Sequence, residues 1–422
     1  MPGTPHPAPA PPTPDRPVLV VGAGLAGLAC TLDLLRAGLP VRLLEASDEV
    51  GGRMRADHRD GYTLDRGFQV LNTSYPQVKR RIRLAPLRPR PFTPGALVHT
   101  PTGPLRLTDP TRLPGPALRL LTDPTLPTTG LAALGLLSAL DLLAPPRLRA
   151  RTPETTTREA LRRARVPDRL VDTFLRPFLA GVFLDDSLET SSRVFHLVWR
   201  SFLRGSLTLP AAGIGAVPRQ LADDLPDGVL RRDTPVAALT PDGLRLADGT
   251  ELPAAAVVVA TDPAAAHVLL PELPPVPTRT TTTYHHAAAH RPPLREPTLL
   301  LDSELRLLNT CVITEVAPGH APPGRSLIAT SVLGPDRPGR ERALRAVLAE
   351  VHGADTDRWD LVNTVTVPAA LPAMPPPWPL SRTTRHAPGR YVCGDHRATG
   401  SVQGALASGT RAARELLADL AP

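Results

Sequence analysis

The 422-residue sequence has little of three residue types, and each shortage excludes a class of protein. Its three cysteines, Cys30, Cys311 and Cys393, lie far apart and form neither a disulfide framework nor a CxxC redox or zinc motif. This pattern indicates a reducing, cytoplasmic location. Aromatic residues make up only 3%, which leaves few rings to build a substrate cage. Lys79 is the one lysine, in a basic run, Lys79-Arg80-Arg81, that we expect on the solvated surface.

Long hydrophobic runs are also missing, because no segment reaches the roughly 18 apolar residues of a membrane-spanning helix. The nearest candidate, residues 131–144, is interrupted by Ser138 and Asp141 and predicts a buried helix. Peripheral membrane contact is the alternative, since Arg147, Arg149 and Arg151 follow it. The net charge of +8 is scattered and not interleaved with aromatics, which predicts no nucleic-acid partner. Residues 1–16 are proline-rich and predict a disordered tail.

The chain opens with the pattern of a βαβ unit. Residues 18–21 form a short apolar run, residues 25–37 predict a helix that ends at Gly38, and residues 41–44 predict a second buried strand. Further strand-like segments span 229–260, with a hairpin signal at 247–250, and 391–393, followed by a helix at 404–420. We therefore expect an α/β protein in which separated segments share one nucleotide-type sheet.

The intervals between those segments predict a second unit. Residues 75–130 are proline-rich with little periodicity, and 153–204 predict helices, with Thr157 as a possible cap. Residues 278–291 and 299–333 predict mixed β structure, and 341–351 a helix. The interpretation is an FAD-type Rossmann domain from 17–74, 205–265 and 380–422, and a mixed α+β substrate domain from 75–204 and 266–379.

A glycine-rich turn between the first strand and helix predicts a dinucleotide site. In Gly22-Ala23-Gly24-Leu25-Ala26-Gly27, the first glycine allows the tight turn and the second lets the backbone approach a pyrophosphate at the helix N-terminus. Gly27 lets helix and strand pack closely. Glu45 ends the second strand, where it can accept hydrogen bonds from a ribose. Gly213-Ile214-Gly215 has no strand before it, so we expect no second dinucleotide site.

Two more segments point to a flavin dinucleotide. Glu45 is followed by Gly51-Gly52-Arg53, a loop suited to a diphosphate, and Asp395 lies in a second strand–loop–helix near the C-terminus, where it can hold a polyol chain. The sequence here resembles the superfamily of flavin amine oxidases, protoporphyrinogen oxidases and phytoene (carotenoid) desaturases. The matching motifs are residues 22–27, 45–53, 65–69, 235–236, 394–395 and 404–405. Residues 65–70, 74–76 and 176–183 look most like a desaturase-like branch.

The resemblance implies an FAD-dependent oxidoreductase whose cofactor residues can be named. Glycines 22, 24 and 27 would face the pyrophosphate, Glu45 the adenosine ribose, Arg53 the ribose and phosphates, Val236 the adenine, Asp395 the ribityl or phosphate oxygens, and Val402 the isoalloxazine ring. The full set is Gly22, Gly24, Leu25, Ala26, Gly27, Glu45, Ala46, Gly51, Gly52, Arg53, Gly67, Phe68, Gln69, Val236, Gly394, Asp395, Ser401, Val402 and Ala405.

Three departures from that superfamily argue against amine oxidation. Amine oxidases of this type place a lysine near the flavin, whereas Lys79 is expected on the surface. Ser401 stands where a substrate-framing ring is expected. No Ser-Gly-Gly-Cys segment precedes Tyr391, so the FAD is predicted to bind without a covalent bond. We therefore expect desaturation of an apolar, isoprenoid- or carotenoid-like substrate in an apolar tunnel, with hydride transfer to flavin N5 and oxygen or a quinone as electron acceptor.

The sequence leaves the alternatives and the catalytic side chains open. An amine oxidase or protoporphyrinogen oxidase-like enzyme is one alternative, and a non-catalytic flavin-binding module is another. His396 is expected either to face the flavin or to serve as a capping or surface residue. On their strand, one of His285 and His286 should point inward and one outward, with structural roles favoured. Arg176 predicts an interdomain ion pair, and no metal site is expected.

Overall fold

The computed structural model describes residues 11–109, 112–113, 128–143, 153–290 and 292–421. Its first elements are strand β1 (Val18–Val21), helix α1 (Leu25–Arg36) and strand β2 (Val41–Leu44). The two strands pair in parallel, with Val18 opposite Val41. Gly38 has φ +80°, a left-handed conformation that reverses the chain after the helix. The predicted βαβ unit is confirmed, with the helix ending one residue before Ala37.

A six-stranded sheet collects segments from three parts of the chain. In spatial order its strands are Leu230–Arg231, β2, β1, Ala256–Val259, Arg390–Val392 and Arg385–Ala387. All pairs are parallel except the last. Helix α1 and the C-terminal helix (Val402–Leu420) share one apolar core with its residues. Because both faces are covered, the central strands are uniformly apolar rather than alternating.

The other face of this sheet packs against an antiparallel sheet of three strands. These are Val236–Thr240, Gly243–Leu246 and Glu251–Pro253, which share an apolar core with the helix Pro263–Leu269. The hairpin predicted at residues 247–250 is confirmed, since Leu244 lies opposite Leu252. The two sheets thus support the α/β expectation for this part of the chain.

A seven-stranded, mostly antiparallel sheet forms the second large unit. In spatial order its strands are Asp360–Pro372, Thr278–Ala288, Ser326–Leu333, Asn309–Val312, Leu300–Asp302, Gly95–Thr100 and Gly103–Thr108. The last two strands correct the expectation of little regular structure between 75 and 130. Their hairpin extends the sheet edge, with Leu300 pairing to Leu97. The prolines of residues 75–130 obscured the alternation of buried and less buried residues in these two strands.

Helices cover both faces of the large sheet. On one face they are Thr128–Leu143, Thr157–Arg163, Asp168–Leu170, Arg176–Phe183 and Ser192–Arg204, with a π-helical turn at Val171–Leu175, and on the other Arg340–His352. The cap of the second helix is Thr156, whose hydroxyl accepts the Glu159 N–H at 3.2 Å, and not Thr157. The helix Thr128–Leu143 exposes Leu136, Leu140 and Leu143, so the predicted buried helix is only partly buried.

Arg176 lies in a helix rather than in a turn, and its partners are local. Its guanidinium donates to the Asp186 carbonyl at 2.9 Å and lies 3.8 Å from the Asp172 carboxylate. Both partners belong to the same helical region, so the expected interdomain ion pair was wrong. Of the predicted tail, residues 1–10 lie outside the described residues, and Thr13–Arg16 form a hydrogen-bonded turn instead of disordered chain.

Smaller elements connect the two units. They are the strands Ala56–Arg59, Tyr62–Asp65, Leu71–Asn72, Arg90–Pro91 and Leu207–Leu209, the helices Pro76–Arg81, Leu84–Leu87, Ala216–Ala222 and Ile313–Val316, and the 3-10 turns Pro318–His320, Thr356–Arg358 and Asp395–Arg397. A strand therefore does precede Gly213, contrary to expectation. It belongs to a small antiparallel sheet, so the parallel strand–turn–helix of a second dinucleotide site is still not formed there.

Within the described ranges, no helix is both long and apolar enough to cross a membrane. The same part of the chain contains no group of three histidine, cysteine or acidic side chains arranged to hold a metal ion. All three cysteines are buried free thiols. The domain limits given above stay a prediction.

Candidate functional site

The three glycines of the first turn have different surroundings. Gly22 has φ +100°, and a Cβ there would lie 2.9 Å from the Ala260 carbonyl oxygen. A Cβ on Gly27 would clash with the carbonyl oxygen of Gly22. Gly24 differs, because a Cβ there would meet nothing within 4 Å. Gly22 and Gly27 thus let the turn pack against its own helix and the neighbouring strand, whereas Gly24 borders open space.

The N-terminus of α1 opens onto that space. Gly24 is its N-cap and has no side chain to cap the helix, and Leu25 and Ala26 follow in the first turn with their side chains buried. The first backbone N–H groups of a helix have no partner within the helix, and the helix dipole adds partial positive charge at this end. This combination is the standard anion-binding arrangement of a dinucleotide site.

Glu45 joins the end of β2 to the glycine turn. One carboxylate oxygen accepts the Ala23 N–H at 2.7 Å and the other accepts the Ser47 N–H at 3.0 Å. The residue is 8% exposed, so these bonds fix its orientation. Each oxygen keeps a second lone pair that can accept a ribose hydroxyl. The turn-stabilising and ligand-binding interpretations of Glu45 are therefore compatible.

Two other predicted residues lie beside the Glu45 loop. Ala46 is exposed next to it. The segment that leads into the strand of Val236 is tied to the loop, because Thr234 N–H donates to the Glu45 carbonyl at 2.8 Å and Asp233 N–H to the Ser47 carbonyl at 3.1 Å. The structure thus brings Val236 to the side of the site where the sequence expects the adenine.

The second glycine loop folds onto the first. Gly51 N–H donates to the Ala23 carbonyl at 2.9 Å, and a Cβ on Gly52 would lie 3.7 Å from the Cα of Gly24. Both glycines have positive φ, +115° and +55°, which favours glycine over any other residue. The two loops thus border the same open space although they are separated in the sequence.

Arg53 links this loop to the C-terminal motif. Its guanidinium lies 2.6 Å from the Asp395 carboxylate and donates to the Ala370 carbonyl at 2.8 Å. Burial alone would lower the pKa of Arg53, but the Asp395 carboxylate outweighs it and raises the pKa above its usual value. Two residues predicted separately as cofactor contacts therefore form one ion pair, in which Asp395 is buried and Arg53 is partly exposed.

The segment 67–69 lies next to this pair. Gln69 donates its side-chain amide to the Arg53 carbonyl at 2.6 Å and to the Arg66 carbonyl at 3.1 Å, so it holds the second glycine loop in place. Gly67 has φ +89° and only Val367 lies near a Cβ built on it, at 4.0 Å. Phe68 packs edge-on to Phe92. The segment borders both the glycine loops and the cavity described below.

The C-terminal motif supplies a second helix N-terminus. Ser401 is the N-cap of the helix Val402–Leu420, and its hydroxyl accepts the Gly404 N–H at 3.0 Å. Val402 and Ala405 are half-buried in its first turn. Ser401 therefore has a capping role at the position where a substrate-framing ring was expected.

His396 packs against Gly394, whose φ is +150° and where a Cβ would lie 2.6 Å from the imidazole. It is 3% exposed, which excludes the surface role considered for it, and burial lowers its pKa to about 4. It is thus a neutral imidazole beside Asp395.

One close contact was not foreseen from the sequence. A Cβ on Gly409 would clash with the carbonyl oxygen of Ala26, so the C-terminal helix lies directly against the backbone of α1. This contact fixes the two helix N-termini relative to each other. A glycine inside a long helix is a weak signal on its own, so the sequence did not predict this contact.

An enclosed cavity lies on the other side of segment 67–69. Its volume is about 10 Å³, on the order of one water molecule. The lining residues are Thr63, Asp65, Gly67, Phe68, Gln69, Leu209, His285, Ile313, His320, Leu327 and Ala329. It is small and of mixed polarity, unlike the long apolar tunnel expected from the sequence.

Three titratable groups line this cavity. Burial raises the pKa of the Asp65 carboxyl to about 7, although Oδ1 accepts the Ile214 N–H at 2.9 Å. Burial lowers the pKa of His285 to about 4 and also lowers that of His320. Both imidazoles are therefore neutral near pH 7, and Asp65 titrates close to it. Sequence reasoning did not single out Asp65 or His320, because neither stands in a recognisable catalytic spacing.

The predictions for the basic run Lys79-Arg80-Arg81 and for the histidines His285 and His286 were each half correct. Lys79 and Arg80 are exposed as expected, but Arg81 is buried and pairs with Asp33 while donating to Thr410 at 2.6 Å. His285 and His286 do point to opposite faces of their strand, yet both are buried, at 2% and 0% exposure. The reason is that the helix Arg340–His352 covers the second face, where His286 lies 3.0 Å from Glu341.

Comparison with known proteins identifies the family. The profile of the family described as flavin containing amine oxidoreductase matches residues 25–417, nearly the whole chain. The chain belongs to this family. As an FAD-dependent oxidoreductase it has FAD as its cofactor, and its curated relatives include phytoene desaturases, as the motifs predict, and coproporphyrinogen III oxidases.

Curated relatives of this flavin-containing oxidoreductase have several activities. It is 26% identical to the coproporphyrinogen III oxidase of Bacillus subtilis over 305 residues, 61% of this chain and 62% of that enzyme. It is 36% identical to the lycopene-forming phytoene desaturase of Pantoea ananas over 84 residues, 18% of this chain and 17% of that enzyme. The aligned stretches thus span less than two thirds of these relatives.

Solved structures share the fold over almost the full length. Cyclohexylamine oxidase from Brevibacterium oxydans is 18% identical with a TM-score of 0.69, covering 96% of this chain and 99% of that one. Reduced UDP-galactopyranose mutase is 15% identical with a TM-score of 0.70, covering 96% of each chain. At these identities the likeness establishes the flavoprotein fold and leaves the substrate open.

The residues of the site fit FAD. The open space at Gly24 adjoins an uncapped helix N-terminus, the buried carboxylate of Glu45 has free lone pairs, and the Arg53–Asp395 pair offers both charges to a phosphate and polyol chain. These features border one space formed from parts of the chain that are more than 300 residues apart.

Proposed function

We propose that this oxidoreductase dehydrogenates a carbon–carbon bond of an apolar, isoprenoid- or carotenoid-like compound. The observation that carries the proposal is the lining of the cavity beside segment 67–69. Five apolar side chains, those of Phe68, Leu209, Ile313, Leu327 and Ala329, contribute to it, and none of its described lining residues is a lysine or arginine. A lining without a lysine or arginine suits a substrate without a fixed negative charge, and a cavity of about one water molecule in size admits one small group of that substrate and not the whole molecule.

Two placements argue against an amine substrate. Lys79 is exposed on the helix Pro76–Arg81, and it does not line the cavity. Ser401 caps a helix and supplies no ring. The proposal therefore assigns no residue of this chain to the lysine and ring roles that the resemblance would need for amine oxidation.

The chain's own groups would orient the substrate and remove one proton. FAD, when bound by the residues from Gly22 to Ala405 named above, supplies the acceptor for a hydride. Desaturation removes a hydride from one carbon and a proton from its neighbour, so a base is also needed. Asp65 is a carboxyl group on the cavity wall with a pKa near 7, and Ile214 holds its Oδ1. We assign it the role of proton acceptor.

A porphyrinogen ring is the second candidate substrate. It is favoured by the length of the alignments to coproporphyrinogen III oxidases, 305 residues for the Bacillus subtilis enzyme and 334 for that of Propionibacterium freudenreichii, both at 26% identity. The alignments to phytoene desaturases are higher in identity but much shorter. The two candidates therefore need a direct test.

That test is anaerobic reduction of the bound flavin. Carotenoid precursors in liposomes, coproporphyrinogen III, benzylamine and a polyamine would each be mixed with the holoenzyme, and flavin bleaching followed by absorbance. We expect bleaching by a polyene precursor and a product that absorbs at longer wavelength. Rapid bleaching by an amine, or by the porphyrinogen alone, would overturn the isoprenoid proposal. Reoxidation of the bleached enzyme by oxygen or by a quinone would then identify the electron acceptor.

Peripheral membrane contact is part of the proposal. It is supported by the helix Thr128–Leu143, whose exposed face carries Leu136, Leu140 and Leu143 at 63%, 56% and 81% exposure. The arginines at 147, 149 and 151 lie outside the described residues. Replacing the three leucines by serine should abolish flotation with anionic liposomes without changing the FAD content. Unchanged flotation would remove this part of the proposal.

A further inference from the structure

The cavity beside segment 67–69 is lined by two histidines that each have one ring nitrogen without a hydrogen-bond partner. His285 is 2% exposed and His320 is 1% exposed, and both line the cavity. His285 Nδ1 and His320 Nε2 are buried without a hydrogen-bond partner. An unpaired buried polar atom is costly, so such atoms need an explanation.

Neighbouring polar side chains in the same sheet show how such groups are normally satisfied. Thr283 bonds to Ser331 at 2.9 Å, and Thr310 bonds to Thr330 at 2.8 Å, each across a strand pair. On the opposite face, His286 bonds to Glu341 and His352 to Thr310, both at 3.0 Å. His285 has no bond of this kind within the described part of the chain. His286, His352 and His396 also have an unpaired Nδ1, but among the described buried histidines only His285 and His320 line the cavity.

The described lining carries one acidic group, Asp65, whose pKa burial raises to about 7, and no basic group that is charged near that pH. No lysine or arginine is among the described lining residues, and the two imidazoles are neutral because burial lowers their pKa values. A neutral imidazole presents one N–H donor and one acceptor nitrogen. Together with the Thr63 hydroxyl, the wall can exchange hydrogen bonds with an uncharged oxygen function. It offers no fixed cation to a carboxylate or phosphate.

We propose that His285 and His320 form a polar subsite that binds a hydroxyl or carbonyl group on an otherwise apolar substrate. This inference deepens the proposed function, since it rests on the cavity being the substrate site. It narrows the substrate class from hydrocarbons to oxygenated apolar compounds. A pure hydrocarbon would leave His285 Nδ1 and His320 Nε2 without a partner. A site that hydrogen-bonds an oxygen group disfavours an analogue that lacks this group.

Equilibrium dialysis against the holoenzyme tests the subsite without relying on turnover. The probes are geranylgeraniol, its methyl ether and the hydrocarbon of the same skeleton, together with an unbranched fatty alcohol, its methyl ether and the matching alkane. In each series we expect the alcohol to bind about 5- to 150-fold more tightly than the hydrocarbon, the range expected when a buried polar group gains a partner. The ether, which accepts but does not donate, should fall between them.

Single substitutions assign that preference to the histidines. His285→Leu and His320→Leu should each lower alcohol affinity and leave hydrocarbon affinity unchanged or higher, while His320→Gln should partly restore the preference. His352→Leu is the matched control, because His352 is equally buried and has an unpartnered Nδ1 but does not line the cavity. Flavin content and the unfolding temperature would verify folding of each variant.

The outcomes separate this inference from the proposed function. Binding of the unbranched alcohol but of no isoprenoid would support the subsite and overturn the isoprenoid substrate. Equal binding of alcohol and hydrocarbon, or variants that weaken all probes alike, would overturn the subsite and leave the isoprenoid proposal standing. If a leucine variant fails to fold, the affinity of the wild-type protein for alcohol compared with hydrocarbon, measured in both series, still tests the subsite. Failure of all six probes to bind would overturn both.

Discussion

Gly24 offers the sharpest test of the cofactor site, because folding and FAD binding make opposite demands on it. Its backbone has φ −73° and ψ 178°, an extended conformation that valine adopts readily. A Cβ there would meet no protein atom within 4 Å. Gly24→Val should therefore fold normally. Its side chain would occupy the space in front of the α1 N-terminus, so FAD binding should be lost.

The size of the effect follows from ligand linkage. A cofactor present at about 100 times its Kd stabilises the protein by about 2.7 kcal/mol. With an unfolding entropy of about 2.1 cal/mol/K per residue, a 422-residue chain that unfolds in one transition gains about 3 °C in Tm. The wild-type apoprotein should show this rise on addition of FAD. The Gly24→Val apoprotein should have nearly the wild-type Tm and show no rise.

The assay is thermal unfolding of apoprotein with and without FAD, together with the flavin absorbance of the purified protein. Gly135→Val is the matched control, since a Cβ on Gly135 also meets nothing within 4 Å and that residue lies in the helix Thr128–Leu143. Gly27→Val should instead unfold the turn, because its Cβ clashes with the backbone of Gly22. A Gly24→Val protein with its full complement of FAD would refute the assignment.

Three further predictions concern the cofactor and the buried acids. Acid precipitation should release FAD into the supernatant, and colour retained in the pellet would show a covalent bond. Asp395→Asn, which removes the carboxylate beside Arg53, should weaken FAD binding and lower stability by about 2 kcal/mol, measured by flavin fluorescence and denaturant unfolding; unchanged values would contradict the role of the ion pair. The raised pKa of Asp65 means that the folded state binds its proton more tightly than the unfolded state, so its contribution to stability is lost as pH rises from about 4 to about 7. Asp65→Asn should remove that loss, and a wild-type-minus-variant difference that does not change with pH would contradict it.

The glycine turns on the cofactor side could be predicted from the sequence, because they depend on local constraints, whereas the contacts of the individual residues with FAD stay a prediction. A glycine with positive φ or with no room for a Cβ can be replaced only at a cost, so Gly22, Gly27 and Gly51 are readable from spacing alone. The buried parallel strands are similarly readable, since they are short, uniformly apolar runs. Residue spacing could not predict the ion pair between Arg53 and Asp395, because these residues are more than 300 positions apart in the sequence and meet only in the folded chain.

The prediction of little regular structure between residues 75 and 130 was wrong for a different reason. Pro101 lies in the turn of the hairpin Gly95–Thr108, and Pro104 lies near the start of its edge strand, where a residue without an N–H is tolerated, so these prolines interrupt the pattern without preventing pairing. The predicted interdomain ion pair of Arg176 was wrong because its partners are close in the sequence. Asp172 lies one helical turn before it, and Asp186 lies just beyond the end of its helix. Tertiary pairing outweighed the local signal in region 75–130, whereas for Arg176 local partners replaced the expected long-range one.

The cavity histidines were the least predictable part, and the reason bears on substrate choice. The run from Thr281 to His286 is polar in sequence and suggests an exposed strand, yet every residue in it is buried because the sheet is covered on both faces. Burial forces each polar group to find a partner, and most find one on a neighbouring strand. A group that finds none costs stability, and such a cost is typical of functional sites rather than of structural cores. His285 and His320 meet this description at one cavity next to the cofactor residues, so the substrate that fits the chain best is one that supplies the missing partner.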